Sequence, residues 1–246
     1  MEDGNSWLRE AVTKGVNELF AARIRKLDKI SLKALLDHIN PFMAGAVYSD
    51  DDMIDQALAG NVHISTGSMF GREFFEPIFR RVPGMLQIGE HQADFESHTN
   101  GRVVRYSLKS GPYQQNTGEK ENGVERLKKW KRMMRTHREP GELVAVVGTC
   151  YGAPKDIERD GVRYLNGPAL WEYATGDPEF FRRLAAVLEE IQPECAVLRE
   201  RYIVAYDRTL RRLKADYDRE WRRKTGAIDI SRLAKVLDQV TGGTRS

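Results

Sequence analysis

The chain reads as a mixed α/β protein: a core whose mixed sheet is flanked by helices, with helical extensions at both ends. Three observations predict this. An Asn100-Gly101 pair sits between two runs that can be extended, the strongest short-range signal for a β-hairpin. A long amphipathic basic segment is followed by the near-continuous apolar run Glu142-Leu143-Val144-Ala145-Val146-Val147-Gly148, the pattern of a buried central strand. Helical periodicity dominates before residue 67 and after residue 190.

In chain order, residues 6–39 predict two helices. Trp7, Leu8, Ala11, Val12, Val16, Leu19, Phe20 and Ile24 keep one apolar stripe, and Ser31 reads as the N-cap of a second helix that Asn40-Pro41-Phe42 ends. A short helix is expected over 50–59 and a further one over 68–80, with Met69, Phe70, Phe74, Phe75, Ile78 and Phe79 as its apolar residues. The hairpin spans about 91–110. A basic helix over 117–136 turns Val124, Leu127, Trp130, Met133 and Met134 inward. After the strand at 142–148, a short strand is expected at 162–165. Helices are then expected over 168–173, 178–191, 194–224 and 230–240. The resulting division is a helical region over 1–66, a core over 67–190 and a helical extension over 191–246, read as one continuous unit.

Bulk composition removes several function classes. The 246 residues carry 39 Lys and Arg against 36 Asp and Glu, so a net charge of +3 imposes no global field. The basic residues instead gather in two runs, from Lys120 to Arg138 and from Arg208 to Lys224. Two cysteines, Cys150 and Cys195, make no disulfide framework or thiolate zinc cluster. The five histidines show no HxH or HxxxH spacing, against a zinc enzyme. No apolar run approaches membrane-spanning length and the first residues lack a targeting pattern, so a cytoplasmic protein with no membrane partner is expected.

The hairpin carries the chemistry. With Asn100-Gly101 as a two-residue loop, Thr99 faces Arg102, Glu96 faces Arg105 and counting back sets Asp94 opposite Ser107. Asp94, Ser107 and Lys109 are then expected on one side of the ribbon. A carboxylate beside an ammonium on rigid strands suits a divalent cation and a water at a phosphodiester, and the main-chain carbonyl of Leu108 can add an oxygen ligand. The plain alternative is an exposed Asp94–Lys109 ion pair of little consequence.

The Asp…x-x-Lys layout on a hairpin resembles the PD-(D/E)XK nuclease superfamily, and a longer pattern resembles type II restriction endonucleases of the PmeII-like branch. The residues carrying it are Asn40-Pro41-Phe42, Phe70-Gly71 with Glu76, Asp94, Leu108-Lys109-Ser110-Gly111-Pro112 with Asn116, Cys150-Tyr151-Gly152, and Trp171-Glu172 with Thr175-Gly176-Asp177-Pro178. They span roughly residues 39–190. The resemblance implies a restriction-endonuclease-like core, Asp94 as the metal-binding acid and Lys109 as the catalytic lysine. It also implies an acid two residues before the lysine, where this chain has Ser107. Glu76, from the helix before the hairpin, is the expected replacement, with Glu73 as its rival and Glu96 assigned to a cross-strand pair with Arg105.

The expected function is therefore Mg2+-dependent hydrolysis of double-stranded DNA at a short palindromic site, as in restriction-modification. The expected catalytic group is Asp94, Lys109, Glu76 and Ser107, with Asp94, Glu76 and the Leu108 carbonyl on the metal. Ser110, Gly111, Gln114, Asn116 and Lys120 are the expected DNA contacts. A palindrome cut on both strands calls for a homodimer. Trp171, Phe180 and Cys150 read as core. The rivals are a structure-specific repair or recombination nuclease, an inactive DNA-binding regulator on the same scaffold, which Ser107 keeps open, and a helical protein with an acidic partner.

Overall fold

The computed structural model describes residues 3–88, 93–99, 101–111, 117–136, 141–222, 225 and 227–235. It divides into two compact units, residues 1–19 with 67–195, and 20–66 with 196–246. The second unit is helical: α2 (Leu32–Leu36), α3 (Pro41–Val47), α9 (Gln192–Glu220) from residue 196 onward, and the parts of α1 (Asp3–Lys29) and α4 (Met53–Met69) that fall within it. Ser31 caps α2 by accepting the Ala34 N–H, and Asn40 caps α3 by accepting from Phe42 and Met43, with Pro41 in the first turn. Leu35, Leu36, Met53, Leu58, Leu213 and Tyr217 build its core.

The first unit holds a six-stranded sheet in the order β1 (Met85–Gln87), β2 (Phe95–Thr99), β3 (Arg102–Lys109), β4 (Glu142–Thr149), β6 (Val162–Asn166), β5 (Lys155–Arg159). β1, β2 and β3 run antiparallel. β3, β4 and β6 are parallel, and β5 returns antiparallel on β6. The crossover between β3 and β4 is α6 (Thr117–Thr136), the connection a parallel pair requires. Strand alternation sorts the side chains to two faces. Leu127 and Trp130 of α6 pack with Val103, Ala145, Val147 and Val162 on one face. On the other, Phe95 and Tyr106 meet Phe79 of α5 (Glu76–Arg80), whose ring also meets Trp171 of α7 (Pro168–Thr175).

The hairpin has the expected register: Thr99 pairs with Arg102 and Glu96 with Arg105. Two features depart from expectation. The helices expected separately over 50–59 and 68–80 are one run, α4 leading through a π-helical stretch, Phe70–Phe75, into α5. The Glu76 N–H donates to the carbonyl of Gly71, five residues back, which is the wide turn itself. β5 is a second addition. It pairs with β6 through the two-residue loop Asp160-Gly161, both at positive φ, 54° and 74°. Residues 230–235 are helical, and the rest of the helix expected there lies outside the described residues. Among the described residues no helix is long and apolar enough to cross a membrane.

Candidate active site

Asp94 sits just before β2 and does not continue the ladder to Ser107. Phe95 pairs with Tyr106, and the Asp94 N–H also donates to the Tyr106 carbonyl at 2.8 Å. Two residues facing one is a β-bulge, a device that re-aims a side chain. The Asp94 carboxylate turns to the N–H of Leu108 and accepts from it at 2.6 Å. Simple counting along the hairpin cannot anticipate this, because the bulge shifts the register by one at its open end.

The same bond fixes the direction of the Leu108 carbonyl. The Lys109 carbonyl accepts from Cys150 N–H at 2.8 Å, so odd-numbered residues of β3 bond toward β4. Even-numbered ones turn their backbone groups toward β2. The Leu108 carbonyl therefore projects to the side where the Asp94 carboxylate lies.

Glu76 approaches from α5, at the exit of the π-helical stretch. Burial, and next the negative charge of Asp94, push its carboxyl above the ordinary range. Cys150, fully buried at the end of β4, reports the same convergence. Burial first, then Glu76 and Asp94, push its thiol up, so it is an inert filler beside two acids. The rival acids are otherwise engaged. Glu73 pairs with Arg72 at 2.8 Å, and Glu96 bonds Arg105 at 2.6 Å and His98 at 2.8 Å. Burial raises Glu96, but the bonds from Arg105 and His98 outweigh it and hold the group below the usual range. Arg105 also stacks over Trp130, its guanidinium carbon 4.7 Å from the ring centroid.

Ser107 and Lys109 face α6. Ser107 is buried near Gly123, and both residues line a cavity of about 820 Å³ between α6 and the sheet. Ser110 donates to the Gly67 carbonyl at 3.2 Å and packs on Gly71, where an added Cβ would stand 3.2 Å from its own Cβ. Gly111 is buried against Tyr151. A Cβ there would lie 2.1 Å from the phenolic oxygen, so any side chain at this position requires the Tyr151 ring to move. Tyr151 in turn stacks on Phe75 at 6.4 Å, next to Glu76 in sequence. Lys120 lies in the first turn of α6, while Gln114 and Asn116 lie outside the described residues.

The other motif residues are structural. Trp171 is buried, donates its indole N–H to the Cys150 carbonyl at 2.9 Å and stacks on Phe180 at 5.3 Å. Thr175, Gly176 and Asp177 close α7: the Gly176 N–H donates to Glu172, Thr175 accepts from Asp177, and Asp177 accepts from the Glu179 N–H.

Sequence reasoning missed Thr149, Asn166 and Lys155, which share the cavity with Lys109. The Asp160-Gly161 pair was the signal for the hairpin that carries Lys155.

The donors suit a hard cation: two carboxylates and a carbonyl, with no thiolate or imidazole. Among the described residues no cluster of three or more His, Cys, Asp or Glu could hold a metal ion. Magnesium is satisfied by one or two carboxylates and keeps several waters, so the two acids fit it.

A mixed six-stranded sheet flanked by helices, with acids gathered at a bulge beside its central strands, defines a restriction-endonuclease-like fold. Residues 6–194, well over half of the chain, match the family model of the type II restriction endonuclease EcoO109I, and the chain belongs to that family. It is on this ground a restriction endonuclease, a DNA-binding nuclease. No curated protein matches the chain significantly.

Proposed function

We propose that the chain is a Mg2+-dependent endonuclease of the PD-(D/E)XK type that cuts double-stranded DNA at a short palindrome as a homodimer. The PmeII-like affinity of the motif residues belongs to the same proposal. The observation that carries it is the pairing of Asp94 and Glu76, whose mutual repulsion has no structural benefit without a cation between them. Two carboxylates balance a divalent charge, and Glu76 supplies the one that Ser107 lacks. A bound magnesium ion would supply Lewis acidity toward water and the scissile phosphate. Asp94 and Glu76 would hold it, with the Leu108 carbonyl as a third oxygen. The Asp94–Leu108 bond fixes that carboxylate before DNA arrives, so little reorganisation remains. Lys109 projects from the neighbouring strand position and orients the attacking water or meets the charge that develops in line. Ser107 offers a neutral hydroxyl beside it. Ser110, Gly111, Gln114, Asn116 and Lys120 follow the catalytic strand and meet the duplex backbone and base edges.

Digestion of plasmid DNA with and without magnesium tests the reading. The expected result is a set of discrete, reproducible fragments that a chelator abolishes. A magnesium-dependent smear supports a structure-specific nuclease instead, and DNA binding with no cutting supports an inactive regulator. Sedimentation should give twice the 28.1 kDa chain mass.

A further inference from the structure

The carboxyl ends of the parallel strands carry a row of polar side chains that runs sideways from Lys109. Lys109 pairs with Thr149, Thr149 with Asn166, and Asn166 with Lys155. Laterally paired residues point to the same face, so Lys109, Thr149, Asn166 and Lys155 stand side by side across four strands. All four line the cavity of about 820 Å³ under α6. One step back the row is Ser107, Val147, Tyr164 and Ile157, with no charged or amide side chain, so the lysines and the amide stand at the strand ends. Ligands of open α/β sheets gather at the carboxyl ends of parallel strands, where loops leave a crevice.

Charge is arranged to suit an anion. Glu125 and Asp160, the acids at the cavity, stand 3.5 and 3.9 Å from Lys128, and Asp160 is also 3.9 Å from Arg159. Lys109 and Lys155 form no ion pair among the described residues, one at each end of the row. Three strand spacings separate them, about 14 Å, more than one phosphate of a DNA strand at about 3.4 Å of rise per nucleotide. Thr149 and Asn166 between them offer a hydroxyl and an amide, donors that bind phosphate oxygens without reading sequence.

The geometry points to a backbone track: Thr149, Asn166 and Lys155 extend the site of Lys109 along one DNA strand and hold the sugar–phosphate that leads away from the scissile bond. This rests on the nuclease reading. The test measures binding of a labelled random-sequence duplex of about 30 base pairs by fluorescence anisotropy, with calcium in place of magnesium, between about 50 and 200 mM salt. Lys155 is exposed, so Lys155→Ala should fold normally. It should weaken binding several-fold and lower the slope of log K against log salt by about 0.9. Lys155→Arg should restore the slope. Thr149→Val and Asn166→Ala should weaken binding with the slope unchanged, since neither carries charge. If the wild type binds and cuts DNA while Lys155→Ala keeps its affinity and slope, the track is wrong and the nuclease reading survives. If the wild type neither binds nor cuts DNA, both fall.

Discussion

Replacing Glu76 by glutamine keeps its size and removes its charge. In the folded wild type, burial and the neighbouring Asp94 carboxylate raise the Glu76 pKa above its value of 4.5 in an unstructured chain. A raised folded-state pKa gives stability that is fully present below the unfolded value and lost as pH rises through the folded one. Near pH 8 the metal-free wild type therefore carries a charge that opposes folding, and Glu76→Gln should melt higher. The gap should close as pH falls below 4.5, where the wild-type carboxyl is protonated in both states. A divalent cation should reverse the order. At ten times its dissociation constant it stabilises by about 1.4 kcal/mol, roughly 3–6 °C in Tm for a chain of this size. The wild type should show that rise and Glu76→Gln should lose most of it. Scanning fluorimetry across pH, with and without magnesium, reads both effects. A metal-free variant that melts below the wild type near pH 8, or that keeps the whole cation-dependent rise, refutes the reasoning.

Three further outcomes follow from the same contacts. Ion binding requires Glu76 to be ionised, so cleavage should fall as pH drops through its raised pKa, and Glu76→Gln should flatten that limb of the profile. Arg105→Ala leaves the largely buried Glu96 carboxylate without its guanidinium partner. It should cost on the order of 3 kcal/mol in denaturant titrations, with the loss seen above the ordinary carboxylate range and fading as acid protonates Glu96. Gly111→Ala drives a methyl into Tyr151 and should destabilise by about 1–3 kcal/mol, and Tyr151→Ala in the same chain should recover part of the loss by opening that space.

The sheet's centre was legible in the sequence because its signals are local. Asn100-Gly101 sets Thr99 against Arg102, and that one register places the Glu96–Arg105 pair. The run over 142–148 is apolar because β4 is covered on both faces. Three parts were not legible, each for a physical reason. β5 is exposed along its whole length, so Lys155-Asp156-Ile157-Glu158-Arg159 has no alternating pattern and exists as a strand through its pairing with β6. The run from α4 to α5 passes through a π-helical stretch that no 3.6-residue period marks, and Gly71 within it is small because Ser110 packs against it. The bulge at Asp94 is held by the Ile88 N–H, which donates to its carbonyl, and by the Leu108 N–H, contacts that no spacing along the hairpin reveals.

The most direct test of the central claim compares wild type, Asp94→Ala and Lys109→Ala in single-turnover cleavage of plasmid DNA, with binding measured beside it. The account predicts that each variant loses at least a thousandfold in rate while binding random-sequence duplex within a few-fold of the wild type. A variant at either position that cuts magnesium-loaded DNA at the wild-type rate contradicts it.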